Sequence, residues 1–82
     1  MMQIGLLWYD NGNSELPLKV SQAVKRYRER FGVEPNVCYV PPENLPEGEQ
    51  QVAGVAVRAS SRILRHHLWV GQEQLTHENL AA

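Results

Sequence analysis

Residues 14–32 constrain this chain more than any others, because only there do a sustained helical period, a start signal and a stop signal coincide. Leu16, Val20, Ala23, Val24, Tyr27 and Phe31 recur at steps of three and four, which stacks them into one apolar stripe at about 3.6 residues per turn. Such a stripe must face a core. Ser14 is placed to act as N-cap, Pro17 is tolerated in the first turn, and Gly32 suits the left-handed position just past the end. Away from the stripe, Lys19, Arg26 and Arg30 line one flank, with Lys25 and Arg28 further round.

The remaining segments supply what this helix packs against. In residues 4–9, Ile4, Leu6 and Trp8 alternate with Leu7 and Tyr9; apolar side chains on both faces predict a central strand. Asp10, Asn11, Gly12 and Asn13 have the side chains that close turns. Glu34 and Pro35 end the helix, and residues 36–40 read as a second strand, with Val37 and Tyr39 opposite Cys38 and Val40. Strand, helix, strand is a βαβ unit, for which a right-handed crossover and parallel pairing are expected.

Pro41 and Pro42 stop the second strand, since proline brings no donor to a ladder. Residues 41–50 read as a loop with one helical turn at 43–45. Residues 51–58 alternate as a third strand, in which Gly54 signals a bulge or a close backbone. The next segment, 59–65, is too short for a helical crossover, so a fourth strand at 66–70 should run antiparallel to the third. The expected fold is α/β of the α+β kind: one long helix on a small mixed sheet of about four strands, in the order β-α-β-β-β. Residues 1–82 form a single domain in this reading, with 72–82 a C-terminal tail or short helix.

Three strands with two apolar faces and one helix to cover them leave a sheet face without cover. Either the C-terminal segment or a second copy of the chain takes that place, and a two-fold dimer is the commoner solution. A chain of 82 residues buries only about 60–65% of its unfolded surface, which also favours a partner.

Composition narrows the functional classes. Hydrophobic residues make up 43%, charged residues 21%, and the net charge is −1, so no strong field recruits a polyanion. A single cysteine excludes an internal disulfide framework, and one thiol with three scattered histidines offers no zinc spacing. The first residues lack a basic n-region and a cleavage site, and no apolar run approaches the roughly 18–20 residues of a membrane span. A cytoplasmic protein with no membrane contact and no cofactor is expected.

Three constellations have chemistry to offer. The loop after the first strand lies where α/β folds place ligands, outside the carboxyl end of a parallel strand, and nominates Asp10, Asn11, Asn13 and Ser14, with Tyr39 at the end of the second strand. Against it, any strand-to-helix connection needs turn residues, and no Gly-rich phosphate fingerprint is present. His66 and His67 invite a metal, yet neighbours on a strand point to opposite faces, one beside Trp69 and the other beside Leu68 and Val70, so no metal site is expected. Cys38, between Val37 and Tyr39 in a buried strand, reads as a core residue rather than a nucleophile. Ser60 and Ser61 read as turn residues, and no catalytic residue is assigned.

The third constellation is basic. Five of the eight basic residues lie between Lys19 and Arg30, and Arg58, Arg62 and Arg65 follow. Lys19, Arg26, Arg30, Arg62 and Arg65 are the candidates for contact with nucleic acid, which needs only cations on an accessible face. The plainer account is a solvated helix flank, with the loop carboxylates Glu43, Glu47 and Glu49 pairing with the arginines.

Leu7, Trp8, Tyr9, Asp10 and Asn11, the strand from Pro35 to Tyr39, Leu45-Pro46-Glu47-Gly48, and the ending from Ile63 through His66, His67 and Trp69 to Gly71 together resemble a group of short uncharacterised bacterial α/β proteins. The resemblance spans most of the chain. It implies a free-standing small α/β protein and brings no activity or site residues with it. The leading functional expectation is a small non-enzymatic interaction module whose partner is itself, as a homodimer, or another protein. A nucleic-acid-contacting accessory protein comes second, and a small-molecule binder or enzyme at the loop after the first strand third.

Overall fold

The computed structural model describes residues 5–73. Among these residues, strands β1 (Gly5–Tyr9), β2 (Val37–Val40), β3 (Gln50–Val52), β4 (Val55–Ala59) and β5 (His67–Gly71) form one sheet, and a single α-helix, α1 (Leu16–Phe31), lies across one face. A 3-10 turn, Pro42–Asn44, follows β2. This is the expected α+β class, with five strands where four were expected. Of the C-terminal segment 72–82, read above as a tail or short helix, residues 74–82 lie outside the described residues.

The helix forms as its period demands. Val20, Ala23, Val24 and Tyr27 are buried, and Leu16 and Phe31 pack at the two ends of the stripe. Gly32 ends it at φ 72°, its N–H donating to the Arg28 carbonyl at 2.9 Å. Arg28 and Arg30 in the last turn complement the negative end of the helix dipole. The start differs from expectation: Glu15, not Ser14, is the N-cap and makes no side-chain capping bond.

Under the helix, Leu6 and Trp8 of β1, Leu68 and Val70 of β5, Cys38 and Val40 of β2, and Val55 and Val57 of β4 complete the core with Leu45. Each fully buried Val or Leu contributes about 1.5–3 kcal/mol, so these side chains carry most of the fold's stability.

The strand order is β1-β5-β2-β4-β3. β1 and β2 run parallel, as a βαβ unit requires, but β5 lies between them and pairs antiparallel with both. The direct parallel partner of β2 is β4. Among the described residues β1 is therefore an edge strand, not the central strand its two apolar faces suggested. On β5, Leu68 and Val70 face the helix while Trp69 lies on the opposite face.

The expected third strand, 51–58, is in fact a hairpin. Ala53 and Gly54 both have positive φ, 53° and 82°, the signature of a two-residue type I′ turn, and β3 pairs antiparallel with β4 across it. The fourth expected strand is β5; it runs opposite to β4, but β2 separates the two.

Candidate functional site

Where β1 and β2 end and β5 begins, three connections converge on a cleft of about 230 Å³. The end of β1 contributes Asp10, and the start of α1 contributes Leu16 and Lys19. Glu43 and Asn44 come from the 3-10 turn, and Arg65, His66 and His67 lead into Leu68 of β5.

Local chemistry holds these groups in place. Asp10 Oδ1 accepts the Gly12 N–H at 2.8 Å, an Asx-type turn that folds the carboxylate back onto its own loop. Lys19 Nζ donates to the Asp10 carbonyl at 3.1 Å, which leaves two of the three ammonium donors for other partners. The Asp10 N–H in turn donates to the His66 carbonyl at 2.8 Å, tying the loop after β1 to the loop before β5.

His66 adopts φ 65°, in the left-handed region, at a cost of about 1–2 kcal/mol for a non-glycine residue. The consequence corrects the expectation for the two histidines. His66 lies ahead of the strand, not within it, so the alternation of a strand does not apply and both histidines line the same cleft. His67 Nδ1 donates to the Arg65 carbonyl at 2.8 Å. Among the described residues no group of three or more His, Cys, Asp or Glu is arranged to hold a metal ion.

Of the five ligand candidates, the structure brings Asp10 alone to the cleft. Asn11, Asn13 and Ser14 are exposed outside its lining, and Tyr39 points to the opposite side of the sheet. The five basic candidates do not share a face. Lys19 and Arg65 both line the cleft, Arg26 and Arg30 stay on the exposed flank of α1, and Arg62 lies on the sheet face away from the helix. Sequence reasoning missed Glu43, Asn44, His66 and His67 as cleft residues. Pro41 and Pro42, which break the chain after β2, were the signal for the first two.

The chain matches no family model, no curated protein and no solved structure.

The second surface is the sheet face that the described residues leave open. Register sets Leu7, Trp69, Tyr39 and Arg58 side by side across four strands. The rings of Tyr39 and Trp69 lie 5.9 Å apart at 39°, and with Ser60, Arg62 and Ile63 they line a shallow groove of about 500 Å³. Glu73 closes one end of the row: it accepts from the Tyr39 hydroxyl at 2.6 Å and from Arg58 Nη1 at 3.2 Å. Arg58 Nε also stands 3.4 Å from Glu49, an ion pair without hydrogen-bond geometry. Burial, reinforced by Glu73, raises the Tyr39 phenol above its ordinary value.

Cys38 is fully buried, and burial pushes its thiol up to about 12. A thiol so disfavoured as thiolate is no nucleophile. Among the described residues no helix is long and apolar enough to cross a membrane.

Proposed function

We propose that the protein is a small non-enzymatic interaction module that works as a homodimer, joined through strand β1 and the open sheet face beside it. The observation that carries this reading is the character of the edge. Among the described residues β1 pairs only with β5, it contains neither charge nor proline, and its outward side chains Leu7 and Tyr9 are 59% and 58% exposed. Exposed edge strands are ordinarily blunted by charges, prolines or bulges. The opposite edge, β3, is three residues long and begins with two glutamines. A two-fold axis beside β1 would pair it antiparallel with its own copy and bury Leu7 and Tyr9 of both chains. The net charge of −1 offers little self-repulsion.

Sedimentation equilibrium tests this reading. The expected result is a dimer at micromolar concentration that becomes a folded monomer in Leu7→Lys, since the side chain replaced is already more than half exposed. A monomer at every concentration, or a dimer indifferent to Leu7→Lys, would sink it.

One observation favours a second reading, contact with single-stranded nucleic acid: the Tyr39–Trp69 pair is a stacking platform with Arg62 at its side. Fluorescence anisotropy on an oligonucleotide would then show a salt slope of about −0.7 per phosphate contact, reduced in Arg62→Gln. The scattering of Lys19, Arg26, Arg30 and Arg65 over other surfaces weighs against a continuous phosphate track.

A further inference from the structure

We propose that the cleft between the end of β1 and the start of β5 binds a small oxyanion, a phosphate or carboxylate group, held between Lys19 and Arg65. The two cations come from different elements, α1 and the loop before β5, and both line one concave site. Among the described residues neither has a carboxylate within 4.0 Å, although three other arginine–carboxylate contacts of that kind exist. Neither cation is thus taken up by a direct ion pair.

Two carboxylates, Asp10 and Glu43, share the cleft and oppose this pair by charge without contacting it. Asp10 turns a carboxylate oxygen onto the Gly12 N–H and presents its backbone carbonyl, not its charge, to the lysine. Glu43 is exposed and forms no ion pair among the described residues. Asn44, whose amide is a neutral donor, stands beside it. A cation is the poorer fit, because the His, Asp and Glu side chains of the cleft do not converge as metal ligands. The left-handed backbone at His66 brings Arg65 and both histidines over the same opening.

Size selects within the class. At about 230 Å³ the cleft falls below the roughly 300–1,000 Å³ of pockets that enclose drug-sized ligands. It suits inorganic phosphate, a small phosphomonoester or a short carboxylic acid, and it is too small to enclose a nucleotide.

The test is an NMR titration of the full chain with inorganic phosphate, run against chloride at matched ionic strength. The expected result is saturable shifts confined to residues 10, 19, 43–44 and 65–67, with acetate following the same path. Arg65→Gln and, independently, Lys19→Met should each weaken binding about tenfold, as loss of one charged hydrogen bond implies. Glu43→Gln should tighten it, and Arg26→Gln on the far flank should leave it unchanged. Thermal melts of each variant verify that the fold is retained. Shifts that never saturate, that chloride reproduces or that extend along Arg26 and Arg30 would overturn the proposal. So would unchanged affinity in both cation variants, or weaker binding in Glu43→Gln, which would mean that the carboxylate holds a cationic group.

Discussion

Tyr39 and Arg58 stand opposite each other on β2 and β4 and share a single carboxylate, that of Glu73. Asn36 secures the backbone of that residue from both sides: its Nδ2 donates to the Glu73 carbonyl at 2.9 Å and its Oδ1 accepts the Glu73 N–H at 2.8 Å. Four hydrogen bonds thus fasten the chain beyond β5 across the open face.

Removing the phenol hydroxyl in Tyr39→Phe should cost about 1 kcal/mol. A double-mutant cycle with Glu73→Ala should return a coupling of about 0.5–1 kcal/mol. Asn36→Ala should cost more, about 1–3 kcal/mol, since it strips a backbone donor and acceptor together. Urea denaturation measures all three, and additivity in the cycle would show that the shared carboxylate contributes nothing.

The helix stripe predicts an order of losses. Tyr27 is fully buried and its ring lies 4.7 Å from that of Phe31, which closes the end of the core and remains half-buried. Tyr27→Ala should therefore cost about 3–5 kcal/mol, and Phe31→Ala distinctly less. Equal losses would place the centre of the core elsewhere.

Stability should fall as the solution becomes alkaline. The buried Cys38 thiol has its value raised from 9.0 to about 12, so the unfolded chain gives up this proton first. The contribution is fully present below pH 9, and it is lost progressively between pH 9 and 12. At about 1.4 kcal/mol per unit the loss has an upper bound of about 4 kcal/mol. Tyr27 and Tyr39, both raised above 10.0, act in the same direction above pH 10. Cys38→Val should flatten the decline between pH 9 and 10 in particular. In the native protein Cys38 should resist alkylation until the chain unfolds.

The hairpin turn offers a stabilising change. Ala53 is held at φ 53°, a left-handed conformation costing about 1–2 kcal/mol for a side chain with Cβ. Ala53→Gly should raise stability by about 0.5–1 kcal/mol once the greater entropy of unfolded glycine is set against that relief. Gly54→Ala, at φ 82°, should lower it. Chemical denaturation would show opposite signs for the two neighbours.

How much of this was legible in the sequence follows from the range of the interactions involved. The extent of α1 and its buried face were set by residues a turn apart: the spacing from Leu16 to Phe31 and the glycine at 32 act locally. The burial of Cys38 followed from its apolar neighbours in the same way. The split of residues 51–58 into two strands was marked by Gly54, but the turn needed a left-handed Ala53 as well, and alanine announces no such conformation.

Lateral order was decided by the tertiary structure alone. A helix of 16 residues spans about 24 Å, which returns the chain to the start of the sheet and makes β1 and β2 parallel without making them adjacent. Which strand lies between them depends on contacts across more than fifty residues of sequence, Leu6 to Val70 and Trp8 to Leu68. The cleft has the same origin. Asp10 was legible in the loop after β1 and Lys19 on the flank of the helix, but Arg65, His66 and His67 reach them only because β5 pairs with β1. Hydrophobic periodicity by itself determined which residues face the helix. The order in which strands bring those faces together, and hence which charged groups meet at the sheet's end, was settled by packing between segments remote in sequence.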